Sequence, residues 1–387
     1  MSVSPRHRRA AALAAVLALT LGACGTDQDG PPAAPSVSRA DIAEADRLAD
    51  VVRQRLTADG LTSVVYGVWR GDERIALGAV GESPIGLPAA ADMRLRVGQP
   101  MEPMLSTVLW KLDAAGTLDL DAPIARWLPT FPRADRITPR MLADSTSGIA
   151  DYVTEPEFLR RFGADPFHTW TAAELLDRAT ARPPLFEPGT DFAYAHSDLV
   201  VLGEVLQQAS GRSLGELIAE HVLRPLGMDR TAVVLDAQLL PPILHAYTTE
   251  RGVFENSTFW NPTAFLHSGN MNSTVADVGR WVGALGTGEL LSPEQHRQMM
   301  GPSTAGLGPF TPEKYFAFGV VHLGDWLYMN PSYGGYDGVA YHDTRTRTTI
   351  VAYAISGPAT DANQNSALPV GAALGTALDP NRPPPTL

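Results

Sequence analysis

The sequence predicts an α/β (α+β) fold in which an antiparallel sheet is built from both chain ends, flanked by helices, with a mostly helical insertion. Three observations lead to this prediction. Runs of β-branched and aromatic residues, which favour strands, lie between residues 61 and 97 and again after Tyr315. Between these runs, apolar residues recur mainly at helical spacing. Strand-rich ends around a helix-rich middle indicate one sheet assembled from distant segments.

The first 24 residues have the features of a targeting segment. Three arginines, Arg6, Arg8 and Arg9, precede a short apolar run that ends in small residues before Cys24, the only cysteine of the chain. Bacterial lipoproteins are cleaved and lipidated at a cysteine placed like this one. We therefore predict an exported lipoprotein, anchored through Cys24 on the outer side of the bacterial cytoplasmic membrane. An ordinary secretory signal with a chance cysteine is the alternative.

The remaining boundaries follow from composition. Residues 25–38 are rich in Gly, Pro, Ala and Asp, which is typical of a flexible tether. We predict a domain over residues 39–380. Within it, we predict a sheet subdomain formed by residues 39–115 and 295–380 and a helical subdomain formed by residues 116–294. Residues 381–387 are a predicted tail.

Composition excludes several classes of function. A formal charge of −12 argues against nucleic-acid binding, because the phosphate backbone attracts basic surfaces. The nine histidines show neither H-x-H nor H-E-x-x-H spacing, so we predict no metal and no cofactor. A single cysteine leaves no internal disulfide. We expect a monomer.

The N-terminal elements are a helix that ends at Gly60, a hairpin over residues 64–80 and a short strand at 95–97. A helix follows, and Pro103 suits its first turn. Because proline disfavours the α conformation of the residue before it, we place Glu102 just ahead of this helix.

The later elements follow from the same periodicities. Predicted helices span 124–128, 137–143, 172–181, 199–209, 214–222, 277–285, 293–300 and 370–378. Predicted strands span 316–321, 339–342 and 348–354.

The order and spacing of five sequence stretches resemble those of a known protein superfamily. The stretches are Gly116-Thr117-Leu118-Asp119-Leu120-Asp121-Ala122-Pro123, Ser145-Thr146-Ser147-Gly148, Pro188-Gly189-Thr190-Asp191-Phe192-Ala193-Tyr194, Pro225-Leu226-Gly227-Met228, and Gly334-Gly335 with Gly338. Over about residues 40–378 the chain resembles the serine β-lactamase-like superfamily of class C β-lactamases, penicillin-binding D,D-peptidases and related esterases. The resemblance implies a β-lactamase/transpeptidase-like fold.

The resemblance also implies where catalytic residues belong. In that superfamily S-x-x-K supplies the serine nucleophile and a lysine, Y-x-N supplies a tyrosine, and K-T-G or H-x-G forms the far wall. Here Gln99 and Glu102 stand at the serine and lysine positions. Tyr194 matches the tyrosine, and His196 stands where asparagine is usual. Ser332-Tyr333-Gly334 aligns with H-x-G. An amide cannot form an acyl-enzyme in the serine's role, because that role needs an activated hydroxyl.

A shifted alignment does not restore the motif. The chain has two lysines, Lys111 and Lys314, and the residues three positions earlier are Val108 and Thr311. The site is therefore predicted to be degenerate, with Gln99, Tyr194, Ser332 and Tyr333 as ligand-binding candidates.

Other hydroxyls and acid–base groups have structural interpretations. Gly211–Gly215 matches G-x-S-x-G, but helices flank it, so Ser213 is interpreted as a helix N-cap. Ser145 and Ser147 are interpreted as loop-stabilising residues. Glu102 and His196 would form an acid–base pair if both faced the cleft; a solvated glutamate and an unrelated histidine is the plainer interpretation.

Three functions remain open at this stage. The first is a pseudoenzyme that binds a peptidoglycan fragment, another small molecule or a protein partner without covalent catalysis. The second is an active D,D-carboxypeptidase, β-lactamase or esterase that uses a non-standard site. The third is a structural adaptor with a vestigial cleft.

Overall fold

The structure, a computed structural model, describes residues 39–385. The predicted signal peptide, Cys24 and the predicted tether lie outside the described residues. The strands are β1 Ser63–Arg70, β2 Glu73–Gly81, β3 Leu95–Arg96, β4 Ala232–Val233, β5 Tyr247–Thr248, β6 Glu255–Asn256, β7 Met271–Ser273, β8 Lys314–Ala317, β9 Val320–Leu323, β10 Trp326–Met329, β11 Ser332–Tyr333, β12 Tyr336–Asp343 and β13 Thr348–Ile355.

Most of the helices lie in the middle of the chain, between β3 and β8. The helices are α1 Arg39–Ala58, α2 Glu102–Ala114, α3 Pro139–Ala143, α4 Pro156–Ala164, α5 Ala172–Thr180, α6 His196–Ser210, α7 Leu214–Ile218, α8 Val275–Thr287, α9 Pro293–Met299 and α10 Ala367–Leu378. Short 3-10 helices are Gln99–Met101, Ile124–Arg126, Tyr152–Thr154 and Pro262–Phe265, and a π-helical turn spans Ala219–Leu223.

The central sheet joins the two ends of the domain. Its strand order is β2-β1-β13-β12-β10-β9-β8, all antiparallel, with β11 paired to β12. Two smaller sheets have the orders β3-β7-β4 and β5-β6. The pairing of β1 with β13 brings residues almost 300 positions apart into register, from Ser63 opposite Ile355 to Arg70 opposite Thr348. The predicted fold class is confirmed.

The sheet separates two hydrophobic cores. Alternate residues of β1 face opposite sides: Val64, Tyr66 and Val68 lie in one core, and Val65 lies in the other. Helices α1 and α10 cover the first face, and α8 covers the second. Both faces are thus buried, which explains why β1 and β13 are apolar almost throughout.

Most predicted elements are present, and one predicted strand is divided in two. The strand predicted over 316–321 is two strands, because Phe318 and Gly319 take positive φ angles of 49° and 92° and turn the chain between β8 and β9. The short strand at 95–97 exists as β3, in a small sheet with β7 and β4. The sequence analysis did not predict α4 or β10.

The residues from Arg39 onward form one compact unit. Helix α2, which the prediction placed with the sheet subdomain, packs against α3, α6 and α7. Helix α8, which it placed with the helical subdomain, packs against β1, β12 and β13. The two predicted subdomains therefore share elements at their junctions, and their boundaries stay a prediction.

The described helices are all too short or too polar to cross a membrane. Between residues 39 and 385, no group of three or more His, Cys, Asp or Glu side chains is arranged to hold a metal ion.

Candidate functional site

A cleft of about 500 Å³ lies at the N-terminal end of α2. Six of the seven residues aligned with the catalytic motifs line it: Gln99, Glu102, Tyr194, His196, Ser332 and Tyr333. The seventh, Gly334, is not among the lining residues. The structure therefore brings together side chains from the start of α2, the start of α6 and β11.

The start of α2 differs from the prediction. Residues Gln99–Met101 form a 3-10 turn that runs directly into α2, and Glu102 is helical, with φ −60° and ψ −51°. The prediction that Glu102 precedes the helix is wrong. Pro103 lies in the first turn, where no intrahelical donor is required. The burial of Met101 and Met104 favours the helical path over the local preference of a residue before proline.

A close approach of backbone shapes this turn. Gly98 has φ 62°, and a Cβ there would lie 2.8 Å from the Cβ of Pro331. Trp281 of α8 donates from Nε1 to the carbonyl of Pro100 at 2.9 Å. The turn that carries Gln99 is thus held from both sides.

The Gln99 side chain bridges the cleft. Its Oε1 accepts a hydrogen bond of 2.9 Å from the backbone N–H of Asn330, which follows β10. The side chain of Gln99, at the predicted nucleophile position, therefore accepts a hydrogen bond from the backbone on the opposite side of the cleft.

Glu102 is buried, with 1% exposure. Its Oε1 accepts a hydrogen bond of 2.5 Å from the hydroxyl of Tyr194, and its Oε2 has no hydrogen-bond partner. Burial raises the pKa of the Glu102 carboxyl well above its usual range, opposed by the Tyr194 hydrogen bond. Glu102 is therefore not the solvated glutamate of the plainer interpretation. Its removal from water favours the neutral acid over the carboxylate.

Tyr194 acts as a hydrogen-bond donor in this arrangement. Burial raises its pKa well above the usual range, and the neighbouring Glu102 raises it further. The neutral hydroxyl is therefore favoured over a phenolate. The Tyr194 ring lies edge-on to the ring of His196, with centroids 5.0 Å apart.

His196 is paired with a residue that the sequence analysis did not identify. It is the first residue of α6, and its Nδ1 lies 3.1 Å from Oδ2 of Asp151. The backbone N–H of His196 also donates to Oδ1 of Asp151, at 3.2 Å. Glu102 and His196 both line the cleft but do not pair with each other. Glu102 accepts from Tyr194, and His196 pairs with Asp151.

Asp151 gave only a weak signal in the sequence. It is the N-cap of the 3-10 helix Tyr152–Thr154, where its Oδ1 accepts from the N–H of Val153. Its second role depends on the tertiary contact with α6.

One side of the cleft is apolar and aromatic. The rings of Phe192 and Phe310 lie 4.6 Å apart, and the ring of Phe316 lies 5.5 Å from that of Phe192. Ser332 donates to Oδ1 of Asp337 at 2.7 Å. Tyr333 has a hydroxyl without a partner, and burial raises its pKa.

Ser213 and Ser147 have the structural roles that were predicted. Ser213 caps α7 in a capping box with Glu216. Ser147 is fully buried and donates to Oδ1 of Asp198 at 2.5 Å. Ser145 takes a φ of 56° within the same loop.

Comparisons with known proteins identify the family and the fold. The Beta-lactamase family profile matches residues 48–371. The chain is 32% identical over 210 residues to the esterase EstB of Burkholderia gladioli, covering 51% of this chain and 53% of EstB. It thus spans about half the length of that relative. It is 26% identical over 304 residues to the D-alanyl-D-alanine-carboxypeptidase/endopeptidase AmpH of Escherichia coli K12, covering 75% and 74%.

Solved structures show the same fold. A D-stereospecific amidohydrolase from Streptomyces sp. superimposes with a TM-score of 0.74 at 24% identity, over 86% of this chain and 99% of that one. The D-amino acid amidase of Ochrobactrum anthropi SV3, solved with D-phenylalanine, gives a TM-score of 0.73 at 22% identity, over 87% and 99%. With the family profile matched across most of its length and this fold around the cleft, the chain belongs to the Beta-lactamase family.

Proposed function

We propose that this protein uses its cleft to bind a small, cell-wall-related ligand without forming an acyl-enzyme, as an exported lipoprotein anchored at Cys24. The observation that carries the proposal is the start of α2. Gln99 and Glu102 stand where the resemblance implies the serine and the lysine, and each is already engaged by a partner across the cleft.

The chemistry of these partners supports a non-covalent role. A serine nucleophile needs a neighbouring base to accept its proton. Burial favours the neutral form of the Glu102 carboxyl, which accepts from Tyr194, and Tyr194 is a donor, so neither is placed to act as that base. The hydroxyls of Ser268 and Ser332 donate to Phe265 and Asp337 instead.

The shape of the cleft supports ligand binding over an adaptor role. A cavity of about 500 Å³ with aromatic walls is within the range of small-molecule sites, and a vestigial cleft would be filled by side chains. The relatives include a D,D-carboxypeptidase and an amidase solved with D-phenylalanine. We therefore propose a ligand with a D-aminoacyl group, whose apolar side chain contacts Phe192, Phe310 and Phe316.

Two measurements on the purified protein test the proposal. Incubation with a fluorescent penicillin and with a fluorophosphonate is expected to leave the protein unlabelled, as judged by intact mass. A thermal-shift series with muropeptides and D-phenylalanine amide is expected to raise the melting temperature, because a ligand that binds only the folded state stabilises it. Stoichiometric covalent labelling, or no shift with any of these ligands, would contradict the proposal.

Phe316→Ala is the matched variant for the binding measurement. It removes one wall of the aromatic contact and is expected to reduce the thermal shift. Phe167→Ala is the control, because Phe167 is exposed and does not line the cleft.

A further inference from the structure

The pairing of His196 with Asp151 is not explained by ligand binding alone. Asp151 holds the histidine twice, through the backbone N–H and through Nδ1 of the ring. A carboxylate at Nδ1 favours the tautomer with the proton on that nitrogen, which leaves the Nε2 lone pair free. His196 lines the cleft and is about one-fifth exposed.

We infer that His196, positioned by Asp151, is a general base that activates a water molecule for the hydrolysis of a carboxylic ester bound in the cleft. This inference rests on the proposed function, since it requires that the cleft accept a carbonyl ligand. It adds ester hydrolysis to ligand binding. It also gives a catalytic role to His196, which stands where asparagine is usual.

Water is the nucleophile because no cleft hydroxyl is hydrogen-bonded to His196. The Tyr333 hydroxyl has no hydrogen-bond partner, His196 included. Ser268 donates to the carbonyl of Phe265 and Ser332 donates to Asp337. Tyr194 donates to Glu102. Each of these protons is therefore engaged elsewhere, and a histidine without a hydroxyl partner can take a proton from water instead.

The step balances without any further reactant. His196 takes a proton at Nε2 as the water oxygen bonds to the ester carbon, and the carbonyl π electrons move to oxygen. When this oxyanion collapses, the carbon–oxygen bond to the leaving group breaks, and the imidazolium returns its proton to that group. The products are a carboxylic acid and an alcohol, and Asp151 stabilises the transient imidazolium.

The rest of the cleft suits an uncharged ester. Burial raises the pKa of Glu102, which disfavours a negative charge at this part of the cleft lining. Phe192, Phe310 and Phe316 accommodate an aromatic acyl group. An ester is favoured over an amide because an alcohol leaves more readily than an amine.

The test uses p-nitrophenyl phenylacetate and the full-length protein, with release of p-nitrophenol as the readout. The wild type is expected to exceed the buffer rate, and His196→Gln to lose at least tenfold, since general-base catalysis contributes about 10² to 10⁴. Asp151→Asn is expected to lose activity less completely, since its amide oxygen still accepts a hydrogen bond. His168→Gln is the matched control, because His168 pairs with Glu174 and does not line the cleft.

The pH profile separates catalysis from a structural role. The titratable groups that face His196 are Asp151, Tyr152 and Tyr194, with Glu102 beyond Tyr194. The wild-type rate is expected to fall on acidification, because a protonated general base cannot accept a proton from water. The residual rate of folded His196→Gln is expected to lack that dependence.

Three results would overturn the inference. One is equal turnover by the wild type and folded His196→Gln. Another is a rate no higher than buffer alone; if thermal shifts persist in that case, the binding proposal stands and only this inference fails. The third is an acyl adduct in the intact mass during turnover, which would overturn the binding proposal as well.

Discussion

Glu102 shows how burial changes the chemistry of a residue. Sequence comparison places a negative charge at the position of a lysine, but only 1% of the residue is exposed, and the carboxyl meets a tyrosine hydroxyl rather than a cation. The cost of removing a charge from water favours the neutral form. The resulting pair of Glu102 and Tyr194 is a hydrogen-bonded wall of the cleft.

The raised pKa of Glu102 makes stability depend on pH in a defined direction. The folded protein binds the proton more tightly than the unfolded chain does. The associated stability is therefore present below the ordinary glutamate pKa and is lost as pH rises toward the folded value, with a slope of at most about 1.4 kcal/mol per pH unit. Glu102→Gln is expected to remove this loss, so the variant gains stability over wild type between pH 5 and pH 8.

Denaturant unfolding at the two pH values measures this difference. Glu157→Gln is the control, because Glu157 is on the surface and its hydrogen bond with Arg160 lowers its pKa. If the wild type and Glu102→Gln lose stability in parallel from pH 5 to pH 8, unfolding releases no proton from Glu102 in that range, and its pKa is not raised by folding.

At the scale of elements, the turn into α2 is the feature that sequence reasoning described incorrectly. The general preference against α conformation before proline is a local bias of one residue. The packing of Met101, Met104 and Leu105 in the core acts on the whole turn and determines its path. As a result Gln99 and Glu102 lie one helical turn apart at the edge of the cleft, which is the arrangement that S-x-x-K requires.

This geometry predicts the effect of restoring the motif. Gln99→Ser combined with Glu102→Lys is expected to make the protein susceptible to a fluorophosphonate, because the hydroxyl and the amine would lie on adjacent turns of a helical run that is already in place. Gln99→Ser alone is expected to remain unlabelled or to react at least tenfold more slowly, since it lacks the base. Intact mass spectrometry provides the measurement, and an unlabelled but folded double variant would show that other parts of the site have also diverged.

At the scale of the molecule, the cleft depends on contacts between distant parts of the chain. Strand β1 pairs with β13, and the sheet they form carries a core on each face. Gln99 reaches Asn330, and Tyr194 reaches Glu102, across 231 and 92 positions of sequence. The site is therefore expected to form only when the whole domain folds.

The location of the protein is a separate prediction at this scale. In a bacterial host, Cys24→Ser is expected to move the protein from the membrane fraction to the soluble fraction and to abolish incorporation of radiolabelled palmitate. Ser38→Ala, in the predicted tether, is the control and is expected to stay with the membrane. An unchanged distribution of Cys24→Ser would leave lipidation without support.

The sequence by itself was sufficient for the fold class, most helices and the long strands. Those features depend on residue spacing along the chain, and spacing is local information. It was also sufficient for the N-cap role of Ser213.

Only the tertiary structure determined the partners at the site. The bond of Glu102 to Tyr194 and the pairing of His196 with Asp151 arise between segments far apart in sequence. The helical state of Glu102 follows from core packing around the turn. Burial then set the protonation of Glu102. Neither long-range contact nor desolvation is encoded by periodicity, because both depend on which surfaces meet after the chain has folded.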